Sequence, residues 1–288
     1  MKWRSLVSWL PFDRFKNPPP RVTVVRLTGV IGSHSPLRKG LSLSGMAGVL
    51  KHAFEADDLK AVALAVNSPG GSPVQSSLIA GRIRALAEEK KIPVFAFAED
   101  VAASGGYWLL TAGDEIYADE SSIIGSIGVI SAGFGFPAVL DRLGVERRVY
   151  ASGAHKGALD PFQREDPEEV KHLRRIQNDI HEAFRRQVRR RRAGKLKASE
   201  EELFDGRFWT GTEAVELGLV DGIGDLRTVM RERYGDKVKL HLVGDSRPWW
   251  RRWMGLPGMR RSAPDTGDWA AALVGAIEER ALWSRYGL

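Results

Sequence analysis

The 288-residue chain contains no cysteine. That excludes disulfides, cysteine-ligated zinc, iron–sulfur clusters and thiol catalysis together. Nothing in it approaches the run of ~20 apolar residues that a membrane-spanning helix needs. Histidine is sparse: His34, His52, His155, His172, His181 and His241 are the full set, and none lies in a recognisable triad motif. Only His155, beside Lys156, sits in a suggestive place. The apolar stretch near the N-terminus is broken by Pro11 and followed by no small-residue cleavage site. The expectation is an uncleaved, non-spanning N-terminus.

What is present is an ordinary globular composition. At 43% hydrophobic residues the chain can bury one large core or two modest ones. The balance is basic, with a net charge of +7 and a pI of about 9.7. That points to an anionic partner, nucleic acid or lipid headgroups, and says nothing about fold. The charge is clustered. One group is Arg185, Arg186, Arg189, Arg190, Arg191 and Arg192. Another is Arg247, Arg251, Arg252, Arg260 and Arg261, interleaved with Trp249, Trp250, Trp253 and Met254. Basic residues at the end of a helix suit its dipole, so the first group has a structural explanation; a lipid or nucleic-acid contact is the alternative.

The order along the chain alternates strand and helix. Residues 1–20 form an extension ending in Pro18, Pro19 and Pro20; its Trp3, Trp9 and flanking apolar residues could rest on a bilayer surface or pack on a neighbour. Apolar runs at 22–27, 61–66, 93–98, 116–118 and 127–130 read as strands. Between them, helices are expected from Ser44 to about 56, after the 67–72 turn to about 91, and from Ser104 toward 112. Asp166, Pro167, Glu168 and Glu169 start a helix that continues to about 192, with Val170, Leu173, Ile176, Ile180, Phe184 and Val188 on one stripe. A helix over 225–234 and a strand over 238–243 follow. The expected organisation is an extension over 1–20, an α/β catalytic domain over 21–245 and a basic Trp-rich tail over 246–288 with an amphipathic helix at 269–285.

Chemistry concentrates in four short segments. Ser104, in Val101-Ala-Ala-Ser-Gly-Gly-Tyr107, lies between a buried strand and a helix start, where free N–H groups favour negative charge. Its small neighbours leave room for a substrate backbone. A serine nucleophile needs a base. Lysine can serve when burial or nearby positive charge lowers its pKa, and Ser–Lys pairs are a known variant of triad logic. Lys156, in Ser152-Gly-Ala-His-Lys-Gly157, is the candidate. An oxyanion needs amide donors. Gly70 and Gly71, in Asn67-Ser-Pro-Gly-Gly71, and Gly105 can supply them. Ser126, in Gly125-Ser-Ile-Gly-Val129, could orient a lysine amine, or could simply belong to a turn.

Taken together, these segments resemble the signal peptide peptidase A family of serine peptidases over about 21–245. Ser126 stands 22 residues and Lys156 52 residues after Ser104, spacings similar to the family's. The segment from Arg207 to Asp221 looks like its closing motif. The resemblance implies a crotonase/Clp-protease-like superhelix of βαβ units. It implies Ser104 as nucleophile, Lys156 as base, Ser126 as the group holding the lysine, and Gly70 or Gly71 with Gly105 as oxyanion hole. No metal or cofactor is implied. It further implies a homo-oligomer whose subunits share the dyad, and short hydrophobic peptides as substrates, such as cleaved signal peptides or membrane-protein fragments. Two features depart from the pattern. Better-known relatives carry an N-terminal membrane anchor, and Gly157 stands where an acidic residue is common. The expected location is cytoplasmic or peripheral on the inner face of a bacterial membrane, with nucleic acid not expected as a partner. The competing classes are a crotonase-like acyl-CoA enzyme and a non-enzymatic membrane-surface scaffold.

Overall fold

The structure, a computed structural model, describes residues 19–32, 40–244, 277 and 279–288. The extension before residue 19, the Trp/Arg cluster at 247–261 and the start of the 269–285 helix lie outside the described residues; 277 and 279–284 are helical. The ordered chain runs β1 (Arg21–Thr28), α1 (Leu43–Phe54), β2 (Leu59–Ser68), α2 (Pro73–Lys90), β3 (Val94–Ala103) and α3 (Gly105–Leu110). It continues through β4 (Glu115–Ala118), β5 (Ile123–Gly125), α4 (Pro137–Leu143), α5 (Pro167–Arg191) and α6 (Glu200–Leu203). It closes with β6 (Phe208–Thr210), α7 (Gly211–Glu216), β7 (Gly222–Ile223), α8 (Leu226–Tyr234) and β8 (Lys239–Leu242).

One sheet organises these elements, in the order β6-β5-β3-β2-β1-β8, with β4 pairing to β3 and β7. Every pairing is parallel except β5 with β6. Parallel strands covered on both faces read as continuous apolar runs, and residues 61–66 of β2 are all buried. Val25, Leu27, Leu64 and Val66 face the helical layer of α1, α2, α3 and α5. Val22, Val24, Ala63, Phe95 and Phe97 face the other way and are covered by Val229 and Met230 of α8.

Three local expectations are corrected. The first helix is capped by Ser42, whose hydroxyl accepts from the Gly45 N–H at 3.3 Å, rather than by Ser44. The strand expected at 127–130 is instead β5, a few residues earlier. The strand ends at Gly125, and Ser126, with φ +52°, turns the chain out of the sheet before 127–130. Ile127 is buried nevertheless, so its apolar character mimicked a strand.

The third concerns the arginine run. Its last members do more than complement a helix dipole. Arg189 pairs with Glu182 and Glu200, and Arg191 donates to the carbonyls of Thr111 and Gly113. Arg192 is only 1% exposed. It donates to the Gly218 carbonyl at 2.7 and 2.9 Å and to Asp221 at 2.7 Å. Asp221 also accepts from Lys195 at 2.7 Å and from the Ile116 N–H at 2.8 Å. These three arginines are therefore committed to the fold, which argues against a lipid or nucleic-acid contact through them.

Burial alone would raise the Asp221 pKa, but its bonds to Arg192 and Lys195 outweigh it and hold the carboxyl below its ordinary range. A depressed carboxyl stabilises the fold fully above its unfolded pKa of about 3.9, and that stability disappears as pH falls through the lower folded value. Arg192→Ala strands a half-buried carboxylate and is expected to cost about 3 kcal/mol or more in urea unfolding at neutral pH. Asp221→Asn should lower stability at neutral pH and flatten its decline below about pH 4. Urea midpoints measured from pH 2 to 7 for the three proteins check both.

Candidate active site

Three of the four predicted segments meet at one edge of the sheet. β2, β3 and β5 are parallel neighbours, and Asn67–Gly71, Ser104 and Ser126 each follow or end one of them. That is the carboxyl edge, where open α/β sheets hold their sites. Ala103 pairs with Gly125, and the Ser104 N–H donates to the Gly125 carbonyl at 2.7 Å. The turns carrying the two serines are therefore stitched together through the backbone.

Ser104 has φ +52° and ψ −121°, an uncommon conformation for a residue with a side chain. It turns the chain sharply from β3 into α3. The residue is half-buried, and its hydroxyl makes no hydrogen bond among the described residues. Around it the backbone is close. A methyl group on Gly70 would stand 2.8 Å from the Ser104 Cβ, 2.9 Å from the Gly105 nitrogen and 3.1 Å from the Ala103 carbonyl oxygen. One on Gly105 would meet the Ser76 hydroxyl at 2.5 Å, and one on Gly71 would collide with the Ile31 carbonyl. Gly70 and Gly71 also have φ values of +107° and +135°. These glycines are required by geometry, not merely tolerated.

The amides divide by availability. Gly70 donates to the Ser68 hydroxyl at 3.2 Å, and its carbonyl accepts from Ile31 at 2.8 Å. The Gly105 N–H opens α3 and so has no acceptor within that helix. The 29–32 segment beside Gly71 is fixed by the Ile31–Gly70 bond and by the Ser72 N–H donating to the Ile31 carbonyl at 2.8 Å. Both of these engage Ile31 without using the Gly71 N–H.

Ser126 is buried and also has positive φ. Its N–H donates to the Arg207 carbonyl at 2.8 Å, and its carbonyl accepts from Gly128 at 3.0 Å. The closing motif supplies the Arg207 contact: β6 runs antiparallel to β5, with Trp209 opposite Ile124. The Trp209 ring lies where a side chain on Gly125 would go, 2.6 Å from the Cβ position. Farther along, the Leu219 carbonyl accepts from the buried Tyr107 hydroxyl at 2.8 Å, fixing α3 three residues beyond Ser104. Burial pushes that hydroxyl's pKa well above its ordinary value, so it stays a donor.

Lys156 is not among the residues gathered there. It lies on an arm, 130–166, between β5 and α5, where no residue is buried. The arm is held by its own contacts: Phe136 against Phe162 at 5.6 Å, Arg147 over the Phe162 ring at 4.9 Å, and Arg147 paired with Asp160 at 2.8 Å. Among its charged residues it exposes many large apolar ones. Ile130, Phe134, Val139, Leu143, Val145 and Val149 are exposed, and Tyr150 is 93% exposed. The Lys156 ammonium makes no ion pair among the described residues, and the residue's backbone N–H donates locally to the Gly153 carbonyl. His155 is exposed beside it. Sequence reasoning passed over Tyr107, Arg192 and His181, whose partners are remote in sequence.

Residues 86–239 match peptidase family S49. The chain is 50% identical over 280 residues to a Brucella abortus protein named Na(+)/H(+) antiporter NhaA, a match that covers 96% of this chain and 38% of that one. It is 32% identical over 203 residues to the chloroplastic serine protease SPPA of Arabidopsis thaliana, covering 68% of this chain and 30% of that protein. It therefore spans about a third of the length of either relative. Among solved structures, a mutant of the 1510-N membrane-bound stomatin-specific protease superposes with a TM-score of 0.50 at 17% identity, covering 80% of this chain and 100% of that one. That likeness concerns the fold: a mixed α/β sheet of the Clp-protease-like kind.

Gly70→Ala is expected to lower kcat about 100-fold, because the added methyl displaces the Ser104 turn from its amides. Gly81→Ala, on open helix surface in α2, should leave kcat unchanged and add about 0.5–1 kcal/mol of stability. Peptide turnover and thermal melting of the pair separate a site effect from general damage.

Proposed function

The chain belongs to peptidase family S49, and from that premise we propose that it is a serine endopeptidase with Ser104 as nucleophile and Lys156 as general base. The observation that carries the reading is the Ser104 turn itself. A hydroxyl without a hydrogen bond among the described residues, at a positive-φ turn next to the N–H that opens a helix and close against Gly70, is an arrangement suited to acyl transfer. Unprotonated Lys156 takes the Ser104 proton, and the oxygen attacks the peptide carbonyl. The Gly71 and Gly105 amides hold the oxyanion; Gly70, whose N–H already serves Ser68, contributes close packing. The lysine then returns the proton to the leaving amine, and water releases the acyl group. Ser126, its backbone fixed and its hydroxyl unbonded among the described residues, orients the lysine amine.

The arm supports assembly of the dyad between subunits. An exposed apolar segment of this length is stabilised by covering it, and a second copy of the chain would bring Lys156 to a neighbour's Ser104. Short hydrophobic peptides, such as cleaved signal peptides or membrane-protein fragments, are the proposed substrates, on the resemblance of the motifs. A peripheral membrane location fits the basic Trp segment at 247–254. The antiporter name of the Brucella relative is not carried over. The match covers 38% of that protein, and no helix among the described residues is long and apolar enough to cross a membrane.

Ser104→Ala and Lys156→Ala should each fold and oligomerise yet lose about 10³-fold or more in turnover of a quenched hydrophobic peptide. Mixed after dissociation and reassembly, the two variants should regain activity, since some sites then pair an intact serine with an intact lysine. No recovery after verified subunit exchange would place both groups in one chain.

A further inference from the structure

Ser126 can orient a lysine only if its turn is held still. Three backbone bonds hold the turn: the Gly125 carbonyl accepts from Ser104, the Ser126 N–H donates to Arg207, and within the turn Gly128 closes onto the Ser126 carbonyl. The fourth comes from a side chain. The Ile127 carbonyl, one residue beyond Ser126, lies 3.0 Å from Nε2 of His181. A carbonyl only accepts, so Nε2 carries the hydrogen and His181 donates.

His181 sits on α5 three residues before Phe184 and seven before Val188, both buried, so it continues their core-facing stripe. Phe184 stacks on Trp108 of α3 at 4.8 Å, which anchors this part of α5 to the helix that Ser104 opens. At this point along the stripe an apolar residue would satisfy packing but would leave the Ile127 carbonyl without its donor. Burial lowers the His181 pKa, with Arg185 acting in the same direction, while the Ile127 and Phe204 carbonyls and Glu182 oppose them; the balance favours the neutral ring.

We propose that His181 is a positioning residue for the peptidase reaction, fixing the Ser126 turn through the Ile127 carbonyl so that the Ser126 hydroxyl meets the incoming lysine amine. The proposal rests on the assignment of Ser126 given above. It also makes α5 a strut with two duties. Its N-terminal end receives the arm that carries Lys156, with the Leu159 N–H donating to Glu169 at 2.9 Å. Its middle holds the residue group that the lysine of a neighbouring copy must find.

The test is a double-mutant cycle on the full-length oligomer, with a quenched hydrophobic peptide and separate kcat and KM. His181→Phe keeps a ring in the stripe and removes the donor; His181→Gln restores an N–H of similar reach. His181→Phe should lower kcat about ten- to a hundredfold with KM within about twofold, and His181→Gln should recover most of it. In a Ser126→Ala background the His181→Phe change should cost nothing further, because both act on one hydroxyl. Losses that multiply, a rise in KM at unchanged kcat, or an unimpaired His181→Phe enzyme would each overturn the proposal. Full activity of Ser126→Ala alone would instead remove the Ser126 assignment on which it stands. Melting temperatures identify a variant that merely fails to fold, in which case His181→Gln against His181→Asn, whose shorter amide falls short of the carbonyl, gives the same comparison.

Discussion

The Ser104 turn is the constraint around which the rest of the site is arranged. A serine at the end of a buried parallel strand can face a substrate only if the chain turns there abruptly, and the turn it makes has positive φ. Such a conformation persists only where its surroundings over-determine it. Here they do so by close backbone packing. Gly70 lies against the Ser104 Cβ, and a side chain on Gly106 would strike the Ser68 carbonyl. The glycines of two separate motifs are thus one steric requirement seen from two strands. The register of β3 with β5 then places the second positive-φ serine beside the first.

Everything C-terminal to the arm braces that corner. β6 adds an antiparallel strand to β5, and its Trp209 occupies the space that Gly125 leaves. The 217–221 segment takes the Tyr107 hydroxyl on one side and the Arg192 guanidinium on the other. Arg192 is buried because its donors are met by the Gly218 carbonyl and Asp221, with Asp221 further satisfied by Lys195 and the Ile116 N–H. A buried ion pair that leaves so few groups unpaired contributes rigidity next to the helix that Ser104 opens. The closing motif therefore braces the site: it holds Tyr107 beside Ser104 and the backbone of Ser126.

The parts of this architecture that were legible in the sequence are those set by local periodicity and by short motifs. β2 and β3 announce themselves as apolar runs because both their faces are covered, and Asp166 with Pro167 marks the start of α5 by cap chemistry alone. The convergence of Asn67–Gly71 and Ser104 follows from placing each after its strand; Ser126 joins them because it follows β5, where the sequence pattern put a strand after it instead. What could not be read was set by distant partners. Arg192 lies within a uniform arginine run, and only the fold distinguishes it as buried. His181 differs from its helical neighbours only through a carbonyl 54 residues away. Ile127 was misread as a strand because burial, not backbone form, dictates its side chain.

The arm shows the same limit in the opposite direction. By composition, Phe134, Phe136, Val139, Leu143, Val145, Val149 and Phe162 belong in a core, yet none is buried in the single chain. Apolar area of that extent left in water opposes solubility of the monomer and favours association. On the proposed reading, the association energy is coupled to chemistry, because the segment that must be covered also bears Lys156. On that reading a subunit alone holds Ser104 with its neighbouring amides, and Lys156 stands on the exposed arm. Under the proposed sharing of the dyad, peptidase activity is a property of the assembled oligomer. On the same proposed reading the corner around Ser104 is organised within the chain, and docking of a second copy's arm delivers the lysine to it.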